Sequence, residues 1–178
     1  MHAHTTGAAP GFTLVELLVL IVLVSIAMAG IMTVWQHSQR HAADPLHANR
    51  AVKLGQAVLE EILAKRFDEN SGQGGVPRCG STDPGAQPCS TTFGPDAGET
   101  SRALYDDVDD YHGLDLTPPT DINGAALTGY ANYRLRVSVA AAGGELSGLN
   151  NDEAKRIDVT VTTPRGHDYE FSAYRVNF

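Results

Sequence analysis

Between Leu17 and Trp35 the chain carries no charged residue and is apolar almost throughout, and one carboxylate, Glu16, stands directly ahead of that run. A helix needs about 20 such residues to cross the hydrocarbon of a bilayer. The segment therefore belongs in lipid, in a bundle of other helices, or in a leader that is removed. An ionisable group at its mouth is expensive and marks a functional position whose partner has to be found. Five residues before it stands Gly11, and the stretch reads Gly11-Phe12-Thr13-Leu14-Val15-Glu16.

Two ordinary readings of this N-terminus exist. One is a secretory signal peptide, for which Ala27-Met28-Ala29 supplies a small-x-small cleavage site. The other is an uncleaved membrane anchor. Against the signal peptide stand a leader with no Lys or Arg before Arg40 and a carboxylate just ahead of the apolar core. A cut after Gly11 accounts for Glu16 better. It creates a cationic α-amine at Phe12, about one helical turn from the carboxylate, in an apolar setting where that amine needs an anion. Glu16 also lies near the positive end of the helix dipole.

The remaining sequence is polar and loop-rich. A length of 178 residues suits one modest domain plus a tail. The net charge of -8 comes without any cluster of Lys and Arg, which disfavours nucleic acid as a partner. Residues 36–50 are polar, and Asp44-Pro45 predicts a kink or break, because the residue before a proline avoids the α region. Gly30 is a second soft point. Helical periodicity returns from Leu46 to Phe67, with Ala51, Leu54, Val58, Ile62 and Leu63 on one face and Lys53, Gln56, Glu60 and Lys65 mostly opposite. Glu61 and Lys65 are spaced as an i,i+4 pair. Together these segments predict one long helix, greasy all round in its first half and striped in its second.

Residues 68–129 are rich in Gly, Pro, Asp, Ser and Thr. Three runs of period-two alternation follow, Tyr130–Val139, Arg156–Thr163 and Tyr169–Val176, the last two joined by a turn at Pro164-Arg165-Gly166-His167. The expected fold is α+β, a long N-terminal helix packed on the dry face of a small antiparallel sheet. The organisation reads as a leader over 1–11, a transmembrane or assembly helix over 12–35, its amphipathic continuation over 36–67, and a globular domain over 68–178.

Cys79 and Cys89 flank a loop rich in Gly, Pro, Ser and Thr. In an exported chain such a pair reads as a disulfide, worth roughly 3 kcal/mol in the chain-entropy model. The alternatives are two free thiols or half of a zinc site, which would still need ligands that do not stand nearby. Asp106, Asp107, Asp109 and Asp110 are oxygen ligands of the kind calcium takes, but their spacing is not that of an EF-hand loop. The simpler reading is a structural acidic turn whose charge is offset by Arg102, Arg134 or Arg136. His112 reads as a hydrogen-bonding or surface histidine. No nucleophile motif and no phosphate-binding glycine loop is present, so an enzyme and a resident cofactor are not expected.

Gly11-Phe12-Thr13-Leu14-Val15-Glu16-Leu17 and the apolar helix after it resemble the type IV pilin superfamily. The resemblance implies that a prepilin peptidase cuts after Gly11, that Phe12 is then N-methylated, and that Glu16 promotes assembly by pairing with a neighbouring subunit's amine. Leu54–Leu63, Phe67-Asp68-Glu69-Asn70, Pro77-Arg78-Cys79 and Asp106–Gly113 are similar to the minor pilins of MSHA-type (mannose-sensitive haemagglutinin) pili. The implied partners are other pilin subunits, the assembly machinery and the bacterial inner membrane, with the C-terminal domain periplasmic before it joins a surface pilus. The rival functions are a minor pseudopilin of a type II secretion system and a membrane-anchored module that binds calcium or another ligand.

Overall fold

A computed structural model of the chain describes residues 13–42 and 44–178. Gly11 and Phe12, on which the expected processing falls, lie outside the described residues. The chain divides at Pro45 into two units.

The first unit carries α1, Leu14–Ala42. Thr13 caps it, its Oγ1 accepting the backbone N–H of Glu16 at 3.3 Å, the Ser/Thr half of a capping box. Within α1, Leu14–Met32 is 19 residues long with a mean hydropathy of 2.8, long and apolar enough to cross a membrane. Every described side chain of this segment is exposed, including Leu23 and Ile26 at 61% and 66%. The one hydroxyl in its middle is satisfied locally, Ser25 Oγ donating to the Ile21 carbonyl at 2.7 Å. A helix apolar on all sides gains nothing from water, and its hydrophobic free energy is realised only against lipid or other helices.

The sequence predicts one long helix with a kink or break at Asp44-Pro45; on the far side of residue 43, which lies outside the described residues, α2 is Asp44–Leu63. Pro45 sits in its first turn, where a missing N–H leaves no helical hydrogen bond unmade. The apolar stripe is as read: Ala51, Leu54, Val58 and Ile62 are buried, and Leu59 and Leu63 pack at their margin. The predicted Glu61–Lys65 pair does not form. Glu61 instead receives Arg102 at 2.5 and 2.9 Å and the Tyr111 hydroxyl at 2.8 Å, while Lys65 Nζ donates to the Tyr105 carbonyl at 2.5 Å. Partners from other elements are already ordered and partly desolvated. They outcompete a solvent-exposed pair on one helix, which is worth only a few tenths of a kcal/mol.

Beneath α2 lies a four-stranded antiparallel sheet in the order β1-β2-β3-β4. The strands are β1 Asp115–Leu116, β2 Arg134–Ala141, β3 Ala154–Thr162 and β4 Asp168–Val176. The three predicted strands are present with shifted ends, and β1 is additional. β2 begins at Arg134 rather than Tyr130 because residues 127–133 are wound in turns, with Tyr130 N–H bonded to Leu127 O and Tyr133 N–H to Tyr130 O. The β3–β4 hairpin closes where expected: Thr163 and His167 pair through the His167 carbonyl at 2.9 Å, and Gly166 takes the positive φ of 80° that the turn requires. Register sets Val137 against Val159 and Val159 against Phe171, so Leu135, Val139, Ile157 and Val161 line the same dry face.

The wet face neutralises itself. Arg134 pairs with Asp115, Arg136 with Asp168 at 3.5 Å, and Arg156 with Glu145 and Asp158 at 2.5 and 3.0 Å. Cys79 and Cys89 form a disulfide with Cα atoms 4.8 Å apart, and Asn177 next to β4 donates to the Cys79 carbonyl at 2.9 Å.

Helix and sheet touch at Gly55. A Cβ there would lie 2.3 and 2.4 Å from Phe171 ring carbons. Glycine costs a helix interior about 1 kcal/mol relative to alanine, and here that cost is offset by the ring seated against the backbone. Gly55→Ala is therefore expected to lower the melting temperature of the domain despite its better helix propensity, since overpacking costs about 1–3 kcal/mol. Thermal melting checks this, and combining it with Phe171→Leu should recover part of the loss.

Candidate functional site

Two places concentrate polar chemistry, and each lies within its own unit. The first is the mouth of α1. Glu16 occupies the third helical position, its N–H held by Thr13, its carboxylate exposed and without a partner among the described residues. The helix start is thus fixed by the threonine, and the carboxylate is left available to an incoming cation. Helix-dipole geometry favours an anion at this position.

The second place is the acidic stretch, which the structure makes the centre of a buried polar knot. Asp107, Asp109 and Asp110 are all within 3% of complete burial. Two of them cap the local backbone. Asp107 Oδ1 accepts the N–H groups of Asp109 and Asp110 at 3.0 and 3.3 Å, and Asp110 Oδ2 accepts those of Asp106 and Asp107 at 2.9 and 3.0 Å. These bonds wind the single 3-10 turn Asp109–Tyr111 and drive Val108 and Tyr111 into the core.

The cations that offset this charge are not those the sequence suggests. Arg102 is taken by Glu61, Arg134 by Asp115 and Arg136 by Asp168. Arg66 pairs with Asp106 instead. Lys155, the second residue of β3, reaches Asp109 Oδ1 at 2.5 Å, Asp68 Oδ2 at 3.0 Å and the Phe67 carbonyl at 2.7 Å. Its Nζ lies 4.5 Å from the Phe67 ring centroid and 5.7 Å from that of Phe93. Asp68 is held further by the N–H groups of Asn70 and Ser90 and by the Ser90 hydroxyl. Lys155 and Arg66 carry no functional signal in the sequence, and Phe67 and Asp68 enter there only as part of a resemblance, without a role. They meet only because the end of α2, the acidic turn and the start of β3 converge.

As metal ligands the four aspartates are heavily committed. Carboxylate oxygens of Glu69, Asp106 and Asp107, of Asp96, Asp107 and Asp110, and of Glu99, Asp106 and Asp110 lie within 4.8 Å of one another. Calcium takes 6–8 oxygens, and here Asp106 and Asp109 face protein cations while Asp107 and Asp110 hold backbone N–H groups. His112 is a hydrogen-bonding histidine, its Nδ1 accepting the Val139 N–H at 3.1 Å on the edge of β2.

Crowding of carboxylates leaves a titration signature. Burial first, then a hydrogen bond to Asp110, pushes Glu99 up to about 7. Burial first, then the neighbouring carboxyl groups of Asp109 and Asp110, pushes Asp107 up to about 9. A group whose folded-state pKa is raised stabilises the fold fully below its unfolded value and loses that contribution as pH rises through the folded value. The melting temperature of the domain is therefore expected to fall from about pH 4 to about 9, with Glu99→Gln flattening the part of that decline below about pH 7. Melting curves across this range check it; a melting temperature that rises over the same range contradicts it.

The fold and these two places define an α+β protein with, among the described residues, one helix long and apolar enough to cross a membrane. No family model matches the chain, and no curated protein or solved structure matches it.

Proposed function

We propose that the chain is a minor pilin of the type IV superfamily, of the MSHA type, with a structural role in building or priming a pilus. The observation that carries this reading is the Leu14–Met32 helix, exposed on every side, with the unpartnered carboxylate of Glu16 at its mouth. A cut after Gly11 would expose the amine of Phe12 beside that carboxylate. Before assembly the helix rests in the inner membrane with the domain beyond it in the periplasm, an oxidising compartment that suits the Cys79–Cys89 disulfide.

During assembly the helix leaves lipid and packs among the helices of other subunits. The exchange is nearly neutral in hydrophobic terms, because apolar surface stays covered in both places. What decides register is charge. A lone carboxylate in a greasy bundle is costly, and it is relieved where the amine of a neighbouring subunit's first residue meets it.

The test is a host strain lacking its prepilin peptidase. The chain should then accumulate in the inner membrane with residues 1–11 attached and disappear from sheared surface fibres. Recovery of the processed chain in the envelope but never in surface fibres, in an otherwise piliated strain, would point to the secretion pseudopilus instead.

A further inference from the structure

The two outer edges of the sheet are unlike. On one side β1 is only two residues long, and the outer backbone of β2 beyond it is already taken. Val137 exchanges bonds with Gly113 and Leu114 at 3.1 and 2.9 Å, and the Val139 N–H donates to His112 at 3.1 Å. On the other side β4 pairs with β3 through nine consecutive residues, one against one, with no bulge and no proline. Two bonds bracket that ladder: Thr163 N–H donates to the His167 carbonyl at 2.9 Å, and Asn177 N–H to the Glu153 carbonyl at 3.0 Å. They fix its parity. Odd-numbered residues of β4 turn their backbone groups to β3, and even-numbered ones turn theirs outward. The N–H and C=O groups of Glu170, Ser172 and Tyr174 therefore leave the sheet without a partner among the described residues, and all three residues are exposed.

Such a row is a template for a further strand, which proteins ordinarily blunt by shortness, proline, a bulge or a cover. Among the described residues β4 has none of these. It carries charge instead. On the wet face Glu170 is in no ion pair among the described residues, whereas Asp168 is held by Arg136 and Thr162. On the dry face Tyr169, Phe171 and Ala173 are only half-buried. Farther along that face Arg175 has its Nε buried without a partner among the described residues.

We propose that the outer edge of β4 is a docking site for an extended segment of another polypeptide, added as an antiparallel fifth strand with an acidic residue opposite Arg175, apolar residues opposite Ala173 and Phe171, and a basic residue opposite Glu170. Main-chain bonds to Glu170, Ser172 and Tyr174 supply the hold, and the alternate side chains choose the partner. The acid answers the guanidinium, the apolar residues extend the cover that Gly55 begins over Phe171, and the base meets a carboxylate that lacks a cation.

A second copy of this chain is a poor occupant. Its β1 side has no free strand to offer. Its β4, laid antiparallel, sets outward residues against outward residues, and Asp168, Glu170, Ser172, Tyr174 and Val176 include no cation. In every register Glu170 would thus meet a neutral or acidic residue. Arg175 would meet only odd-numbered residues, none of which is acidic. Self-pairing answers neither charge, and a foreign strand of the stated pattern answers both. The inference lies wholly within the Leu46–Phe178 unit and does not depend on the role given to Glu16.

The experiment is titration of the full chain, purified in detergent, with the synthetic peptide Thr-Glu-Thr-Val-Thr-Val-Lys-Val-Thr, followed by hydrogen exchange resolved to single amides. Saturable binding is expected, with exchange at Glu170, Ser172 and Tyr174 slowed at least tenfold and exchange at Phe171 and Ala173, already in the ladder, little changed. N-methylation of the central Thr, whose N–H faces Ser172, should abolish binding, while N-methylation of the Val after it, whose N–H turns away, should spare it. A peptide with its Glu and Lys exchanged should bind several-fold more weakly. Glu170→Lys, at an exposed position that leaves the fold intact, should come to prefer a peptide with Glu in place of its Lys. No saturation by millimolar peptide would overturn the proposal, as would protection that falls outside β4. Equal effects of the two N-methylations would show that no strand is added, and indifference to every charge exchange would remove the stated partner.

Discussion

Replacing Glu16 by alanine is expected to leave membrane insertion intact and to remove the chain almost completely from assembled fibres. Insertion should be unimpaired because a carboxylate within or beside an apolar span opposes it by up to about 2.5–3.5 kcal/mol at the helix centre. Losing the charge helps the helix enter lipid. Folding of α1 should also survive, since Thr13 caps the helix through the Glu16 backbone N–H, which alanine keeps. The loss comes at assembly, where the amine of Phe12 on an adjoining subunit would be buried with no anion. Breaking one side of a buried pair costs about 3–5 kcal/mol, which is roughly two to three and a half orders of magnitude in the equilibrium for incorporation. Equal amounts of wild-type and Glu16→Ala chain in sheared fibres would contradict this. Glu16→Gln sharpens the test, for it keeps size and hydrogen bonding but not charge.

The second large effect concerns the domain rather than the fibre. Lys155→Ala should destabilise the Leu46–Phe178 unit more than any surface substitution. It strips the only cation bonded to Asp68 and Asp109 among the described residues, both of them almost fully buried, and empties the space between two phenyl rings. The expected cost is about 3–5 kcal/mol, a large part of the roughly 5–15 kcal/mol by which domains are stable. For a unit of this size that corresponds to a fall of about 10–20 °C in melting temperature. Arg134→Ala, which breaks a pair exposed on the wet face of the sheet, is the matched control and should cost no more than about 1 kcal/mol. Comparable losses in the two variants would show the knot to be ordinary surface electrostatics.

These contrasts also show what a sequence of this kind does and does not disclose. The α1 run, the α2 stripe and the alternation of β2, β3 and β4 are local patterns with periods of their own, so burial of Leu54, Val58, Val137 or Val159 is legible without a partner in view. The pair Cys79–Cys89 is equally local. β1 was not legible, because two residues are too few to show a period. Nor was Lys155. It sits in Asp152-Glu153-Ala154-Lys155-Arg156, which reads as a solvated charge run, and its partners Asp68 and Asp109 lie 87 and 46 residues away.

The same limit explains the misplaced cations. Arg102 is near the acidic turn in sequence, but the turn winds inward, so a lysine from the sheet meets Asp109 while Arg102 swings to Glu61. One missed feature did have a signal. Gly55 stands in the middle of a helical pattern, where glycine is unfavourable, and such a residue usually marks a close approach. The acidic turn, by contrast, was legible as a structural element, though not the partners that neutralise it.

The account turns on where the mature chain begins, because the role given to Glu16 requires a free amine at Phe12. Mass spectrometry of the N-terminal peptide, taken from the chain in its native host, decides it. The account predicts a first residue of N-methylated Phe12, with residues 1–11 removed. A mature chain that begins at Gly30, or one that still carries Met1, would contradict it.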